Sequence, residues 1–286
     1  MPVKNKFIRS ISDISNSEFE GISNNHDSPF MSYEFLKSLE VSGSASSLSG
    51  WQPHHAVSYE NEVLNGLIPL YLKNNSQGEF VFDHQWAHAL EQANRSYYPK
   101  FLTALPYTPC DTSKLITRSQ SGALNILEAV KQKMIDDNIE SWHVLFPNAD
   151  DRHLLLDEGF IERYGYRFVW NNRDFEDFDD FLKIFTSRQR KNIKKEREAI
   201  RQLDIKFSTK EGENLELDDW NIFFKFYVNT YYQRMQRPYL NKEFFELIHF
   251  YKNKLRQQSP HHQLMRRIRL ASVCFYKNEL IQKTLY

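Results

Sequence analysis

Residues 54–72 read His-His-Ala-Val-Ser-Tyr-Glu-Asn-Glu-Val-Leu-Asn-Gly-Leu-Ile-Pro-Leu-Tyr-Leu, and the fold turns on this stretch. His54 to Tyr59 and Val63 to Leu72 are rich in strand-forming residues, and the polar Glu60-Asn61-Glu62 between them is short enough for a tight turn, which predicts a β-hairpin. Antiparallel neighbours need no crossover, whereas a doubly wound parallel sheet would put a helix here. The hairpin weighs against a purely parallel sheet.

Toward the N-terminus, Lys4 to Ile11 alternates like an edge strand, and Asn16–Ser23 and Ser32–Val41 show helical spacing, with Phe35, Leu36 and Leu39 on one face of the second. Ser42–Gly50, SGSASSLSG, is small and polar, which predicts an exposed loop, a candidate lid with Leu48 its only core residue. In the other direction Gly78–Phe82 leads into a helix over Asp83–Asn94. A strand at Phe101–Leu105, a loop bearing Pro106 and Pro109, a strand at Lys114–Thr117 and a periodic helix over Ser121–Asp137 follow. Trp142–Phe146 reads as a buried strand, Asp150–Glu158 as a helix stopped by Gly159, and Tyr166–Trp170 as a strand. This order predicts an α/β (α+β) fold with a mixed, largely antiparallel sheet flanked by helices.

Beyond Asp177 the text changes to long amphipathic helices: Phe178–Leu203 in two pieces, Leu217–Gln236 and Asn241–Gln257. Strands are expected at Leu264–Tyr276 and Leu280–Tyr286, turning at Lys277–Glu279. The shift divides the chain into a first domain, 1–172, and a second, 173–286, whose sheet is begun and not completed. A length of 286 residues also favours two domains, because single cores cluster at roughly 100 to 150 residues.

Lys plus Arg and Asp plus Glu number 37 each, so no global field draws the chain to nucleic acid or anionic membrane, and any anion site must be local. Cys110 and Cys274 lie far apart without a CxxC pattern, which argues against a disulfide scaffold or zinc cluster and fits a reducing compartment. No run approaches the roughly 20 apolar residues of a membrane span, and the N-terminus lacks a secretory h-region, so a cytoplasmic location is expected. No GxGxxG or GxxxxGK[ST] run occurs, which counts against dinucleotide and P-loop sites.

Five segments stand out: Gly50-Trp51-Gln52-Pro53-His54, Pro69-Leu70-Tyr71-Leu72-Lys73, Gly78-Glu79-Phe80-Val81-Phe82-Asp83-His84-Gln85-Trp86-Ala87, Tyr97-Tyr98-Pro99-Lys100 and Pro106-Tyr107-Thr108-Pro109. Prolines flanked by aromatics, with carboxylates and lysines, make walls for an acceptor groove; they are equally the residues of ordinary turns and packed cores.

In this order, and from about Phe30 to Gln263, the segments resemble the FemAB-like family of peptidoglycan biosynthesis or recognition proteins, predicted N-acyltransferases similar to tandem copies of the GNAT acyltransferase fold. The resemblance implies a first GNAT-like domain followed by a partial second one. It also implies transfer of an acyl or aminoacyl group to the amine of a small molecule or peptide, such as a cell-wall precursor. No bound cofactor is implied; the donor, acyl-CoA or aminoacyl-tRNA, enters as co-substrate. Such transfer needs a base for the amine, donors for the carbonyl oxygen and an acid for the leaving group. Glu79 and Asp83 are the candidates for amine recognition or base, Tyr97 and Tyr98 for proton donor, and Lys100 for pairing with a donor phosphate or acceptor carboxylate. Trp51, His54, Tyr71, Lys73, Trp86, Tyr97, Tyr107 and Thr108 are the expected substrate-binding walls. The other reading is a peptidoglycan- or peptide-binding module, inactive through truncation.

Thr117-Arg118-Ser119-Gln120-Ser121-Gly122 stands where a GNAT pyrophosphate loop belongs but carries only Gly122 of the Q/RxxGxG/A pattern, so helix capping by Ser119 or Ser121 is expected instead. Ser187–Arg197 holds six Lys or Arg against one acid. Arg188, Arg190, Lys191 and Lys195 are candidates to hold phosphates, tRNA included, and equally form a solvated face balanced by Glu196 and Glu198. Tyr227, Thr230, Tyr231, Arg234, Arg237 and Tyr239 extend that patch or form one helix stripe. His84 and His88 have metal-ligand spacing but no third ligand, so no metal site is expected. Two departures stand out: Arg167 where the resemblance leads one to expect glutamine, and the lack of the family's later Tyr-Gly-Arg-Tyr-Trp-like region.

Overall fold

The computed structural model describes residues 3–23, 28–166, 168, 170–203, 210, 214–257, 275–277 and 279–281. The chain divides into two units, Met1–Glu162 with Glu211–Arg269, and Arg163–Lys210 with Leu270–Tyr286.

The first unit opens with β1 (Val3–Ile8), α1 (Asn16–Ile22) and α2 (Tyr33–Val41). The hairpin follows, as β2 (Gln52–Pro53), β3 (His55–Glu60), β4 (Val63–Ile68) and β5 (Tyr71–Lys73). Next come α3 (His84–Gln92), β6 (Lys100–Thr103), β7 (Ile116–Thr117), α4 (Gln120–Asp136), β8 (Trp142–Val144) and α5 (Ala149–Asp157). Polar side chains set the helix starts: Ser32 accepts the N–H of Phe35, Ser119 that of Gly122 and Asn148 that of Asp151.

The architecture is mixed α/β, as expected, but the described strands of the first unit form two four-stranded sheets rather than one, ordered β1-β3-β4-β7 and β2-β5-β6-β8. All neighbours are antiparallel except β6 and β8. One long hairpin joins the sheets, since the pairing of Ala56 with Ile68 in the first continues in register as Pro53 with Tyr71 and Gln52 with Leu72 in the second. Pro69, which has no N–H to give a ladder, stands at the joint. There His54 N–H donates to the Leu70 carbonyl at 2.8 Å and Leu70 N–H to His55 Nδ1 at 3.2 Å. Because Nδ1 accepts, His55 Nε2 carries the proton and donates to Glu40 Oε1 at 2.7 Å.

Both hairpin faces are buried. Val57 and Leu67 point to a core built by Ile11, Phe19, Ile22 and Leu36 from the α1–α2 side. Their neighbours Ala56 and Ile68 point the other way, to Ile126, Leu127, Val130 and Leu155 of α4 and α5. Each buried Val, Leu, Ile or Phe among them contributes about 1.5–3 kcal/mol.

In the second unit α6 (Phe178–Leu182) and α7 (Ser187–Arg201) start at the caps Asp177 and Thr186, the latter in a capping box with Gln189. Lys194 pairs with Asp179 at 2.8 Å, and Arg197 lies 3.9 Å over the Phe178 ring. The first unit then resumes with α8 (Leu217–Tyr232) and α9 (Lys242–Gln257). Phe245 gathers Trp220, Phe223, Phe224 and Tyr227 around it, and Phe244 meets Phe35 of α2 edge-on at 5.8 Å. The short antiparallel pair β9 (Phe275–Lys277) and β10 (Glu279–Ile281) belongs to the second unit. The rest of the strands expected over Leu264–Tyr276 and Leu280–Tyr286, and Arg167 and Val169, lie outside the described residues. The strand expected over Tyr166–Trp170 is not found at its described residues: Tyr166, Phe168 and Trp170 belong to no strand and are exposed, so their alternation has no sheet face to bury.

The loop Ser42–Gly50 departs from its expectation. Ser42, Ser44 and Ala45 are buried, and Leu48, expected to be its core residue, is 99% exposed. The cause is tertiary: the Asn241 side chain donates to the Ser42 carbonyl and Tyr107 hydroxyl to the Ser44 carbonyl at 2.7 Å, which holds the segment against the unit.

Candidate functional site

Lys73 ends β5, Lys100 begins β6, and the two are direct partners across the ladder. Both are fully buried. Like charges opposite one another destabilise a sheet, and buried ammoniums persist only when compensated.

The compensation comes from the strap between β5 and α3. Lys100 Nζ donates to Glu79 Oε2 at 2.9 Å, Asp83 Oδ2 at 2.6 Å and Ser76 Oγ at 3.0 Å, which uses its three N–H groups. Ser76 Oγ and Tyr97 hydroxyl also donate to Asp83 Oδ2, at 2.8 and 2.6 Å. Because the Ser76 proton points to Asp83, the Tyr98 hydroxyl 2.6 Å away is a donor to Ser76. Lys73 Nζ donates to the Gln77 carbonyl at 3.2 Å, lies 3.9 Å from Glu79 Oε1 and sits 3.9 Å over the Trp51 ring. Trp51 Nε1 donates to the same carbonyl at 2.9 Å.

The strap's backbone is specialised. Gly78 and Phe80, either side of Glu79, have φ of 75° and 58°. A Cβ on Gly78 would stand 2.4 Å from the Tyr107 ring. Asp83 occupies the N-cap position of α3 without capping it, because its carboxylate turns inward. Nor does α3 bury any residue of its own.

Burial raises the Glu79 pKa against the pull of Lys100 and Lys73. At Asp83 burial pushes upward too, but the hydrogen bonds from Lys100, Tyr97 and Ser76 together outweigh it and hold the group at about 2. Burial brings Lys73 down to about 7, opposed by Glu79. It also raises the Tyr97 hydroxyl, helped by the bond to Asp83. Asp83 is therefore ionised at neutral pH, while burial drives Glu79 and Lys73 toward their neutral forms.

Of the residues singled out in the sequence, Glu79, Asp83, Tyr97, Tyr98, Lys100, Lys73 and Trp51 converge here. Tyr71 meets Trp51 edge-on at 5.3 Å, and Tyr107, 5.5 Å from Trp51, stacks on Tyr239 at 4.8 Å. Others lie apart. His54 is buried between Phe7 and Phe101 and accepts from Arg9 Nη1 at 2.6 Å; burial, then Arg9, lowers its pKa to about 4. The Thr108 hydroxyl closes its own turn on Pro106, and Trp86 is half exposed on α3. Arg188, Lys191 and Lys195 are exposed and Arg190 half-buried on α7, in the second unit. Ser76 and Gln77 carry no sequence signal, because Asn-Asn-Ser-Gln-Gly has the composition of a plain turn.

The cluster is closed, where the sequence led one to expect a groove. A cleft of about 440 Å³ lined by Lys131, Met134, Ile135, Asn138, Ile139 and Glu140 shares no residue with it. Among the described residues no group of three or more His, Cys, Asp or Glu is placed to hold a metal, and no helix is long and apolar enough to cross a membrane.

The FemAB-like family model, described as peptidoglycan biosynthesis/recognition, matches residues 10–260. Among solved structures the chain is similar to a ribosomal-protein-alanine N-acetyltransferase from Brucella melitensis biovar Abortus 2308, at 8% identity and a TM-score of 0.34, over 60% of this chain and 100% of that one. No curated protein matches it.

Proposed function

We propose, from the premise that this chain belongs to the FemAB-like family, that it transfers an acyl or aminoacyl group to an amine and that the reaction takes place at the Lys100 cluster. Family membership supports the acyltransferase class. The observation that carries the placement is the convergence of Glu79, Asp83 and Tyr97 on or beside one buried ammonium, at 2.9, 2.6 and 3.5 Å from Lys100 Nζ.

The acceptor nitrogen attacks the acyl carbonyl carbon, the bond from that carbon to the donor's sulfur or oxygen breaks, and the amine proton passes to Glu79. Glu79 is the base because burial raises its affinity for a proton, whereas Asp83, held at about 2, orients Lys100 and Tyr97. The Tyr98 hydroxyl, only half-buried, supplies the proton to the leaving group. The acceptor is a small-molecule or peptide amine such as a cell-wall precursor, and the donor acyl-CoA or aminoacyl-tRNA. In the tRNA case Arg188, Arg190, Lys191 and Lys195 hold phosphates, and binding weakens steeply with salt.

The test is mass-spectrometric detection of acylated amine with each donor in turn. Glu79→Gln is expected to lower turnover by about 10²–10⁴, and undiminished turnover would remove Glu79 as base. A second reading, a module that binds a cell-wall peptide without turnover, is favoured by the closure of the cluster. It predicts saturable binding of that peptide with no product from any donor.

A further inference from the structure

The Lys73–Lys100 pair has a consequence for what enters the site. Both ammoniums stand on adjacent paired strands of the sheet, fixed by the ladder Tyr71–Leu102, Leu72–Phe101 and Lys73–Lys100. Their counter-anions stand on a strap that is anchored differently. Its path from Ser76 to Asp83 is held by the bonds of Ser76, Gln77, Glu79 and Asp83 to Lys73, Lys100, Trp51, Tyr97 and Tyr98. The aromatic residues of the strap and of α3 are less buried than its carboxylates: Phe80, which meets Tyr239 edge-on at 6.2 Å, is 50% exposed, Phe82 84% and Trp86 50%. The two carboxylates are also incompletely satisfied, since Glu79 Oε1 and Asp83 Oδ1 are buried and accept no hydrogen bond from the protein.

We infer that Lys73 and Lys100 form a dicationic seat for a carboxylate or phosphate group of the substrate, which Glu79 and Asp83 occupy in the closed structure and yield when the strap swings out. The inference rests on the reading that this cluster is the substrate site. It follows from charge. Were the strap to leave alone, two facing ammoniums would stay on the sheet without counter-charge, a costly arrangement. An anion brought by the substrate meets that cost, so opening and binding are one event.

The experiment is amide hydrogen exchange on the full chain, with inorganic phosphate and with acetate as probes and chloride as the control for screening. The inference expects one of the two probes to speed exchange severalfold and saturably across residues 74–83 while β3 and β4 stay unchanged. A phosphate response assigns a phosphate-bearing substrate, and an acetate response a carboxylate-bearing one. Glu79→Gln, which weakens the latch, is expected to shift the midpoint to lower probe concentration, and Lys73→Met to remove the response. A strap indifferent to both probes in the wild-type and Glu79→Gln proteins, or one that responds equally to chloride, overturns the seat. Because the readout needs no turnover, an anion-responsive strap in a protein that acylates nothing would sink the acyltransfer reading alone. Turnover with an indifferent strap would sink the seat alone.

Discussion

Asp83 stands at the N-cap of α3 and turns its carboxylate to Lys100 instead, 2.6 Å away. A capping side chain is worth about 1 kcal/mol to a helix, so α3 forgoes local stability for a contact that only the folded cluster supplies. With a folded pKa of about 2 against an ordinary 3.8, Asp83 contributes stability that is fully present above pH 4 and is lost as pH falls toward 2. The contribution is about 2 kcal/mol. Denaturation midpoints measured across this acid range are expected to fall more steeply in the wild type than in Asp83→Asn, which lacks the group; equal slopes would detach Asp83 from the linkage.

Lys73 gives the opposite signature. Its folded pKa of about 7 lies below its ordinary 10.5, so between these values the unfolded chain holds more protons than the folded one and stability rises with pH. Lys114 adds to the same slope over a narrower range, since burial lowers it to about 8 while its ammonium donates to the carbonyls of Thr112, Phe146 and Cys110. Lys73→Met is therefore expected to flatten, without abolishing, the alkaline gain in urea midpoint. A variant as pH-dependent as the wild type would show that Lys73 is not the group responsible.

Gly78→Ala tests the strap's geometry. Alanine at φ 75° is strained in any surroundings, and here its Cβ would also meet the Tyr107 ring. Gly43 is the control, for it has φ 73° and nothing within 4 Å of the added carbon. Gly43→Ala is expected to cost about 1 kcal/mol and Gly78→Ala about 2–3 kcal/mol. Thermal or chemical denaturation reads the difference, and equal costs would mean that Tyr107 yields freely.

How far the sequence carries can be judged from these same residues. The hairpin is legible because Val57, Leu67 and their neighbours alternate about a polar turn, and Ser32 and Ser119 announce their helices by local chemistry alone. Glu79, Asp83, Tyr97, Tyr98 and Lys100 are legible as candidates, since charged residues among aromatics and prolines stand out. Their closure is not. It depends on Lys73 and Lys100 falling opposite one another, a register that β5 and β6 settle only by pairing across 26 intervening residues. The burial of Ser42 and Ser44 is hidden for the same reason, because Asn241 and Tyr107 are remote in sequence. Pro69 marks a break in the ladder, but that one hairpin serves two sheets is a property of the tertiary fold.

The close approach of Gly78 to Tyr107 makes the two positions non-additive, and the sign of the coupling can be stated. Tyr107 is held on three sides: its hydroxyl donates to the Ser44 carbonyl at 2.7 Å, its ring tilts against Trp51, and Tyr239 stacks on it at an interplanar angle of 11°. Such a ring yields little to an intruding methyl group, so most of the excess cost of Gly78→Ala over Gly43→Ala belongs to the collision. In a Tyr107→Ala background the obstacle is gone, and Gly78→Ala is expected to cost about 1 kcal/mol less than in the wild type. Tyr239→Ala leaves the Ser44 bond but removes the stacking face, and is expected to relieve Gly78→Ala only in part. A cycle measured by urea denaturation that gives strict additivity for Gly78 and Tyr107 would show that the strap relaxes around the new carbon, and the tight seating of Glu79 beside it would lose its support.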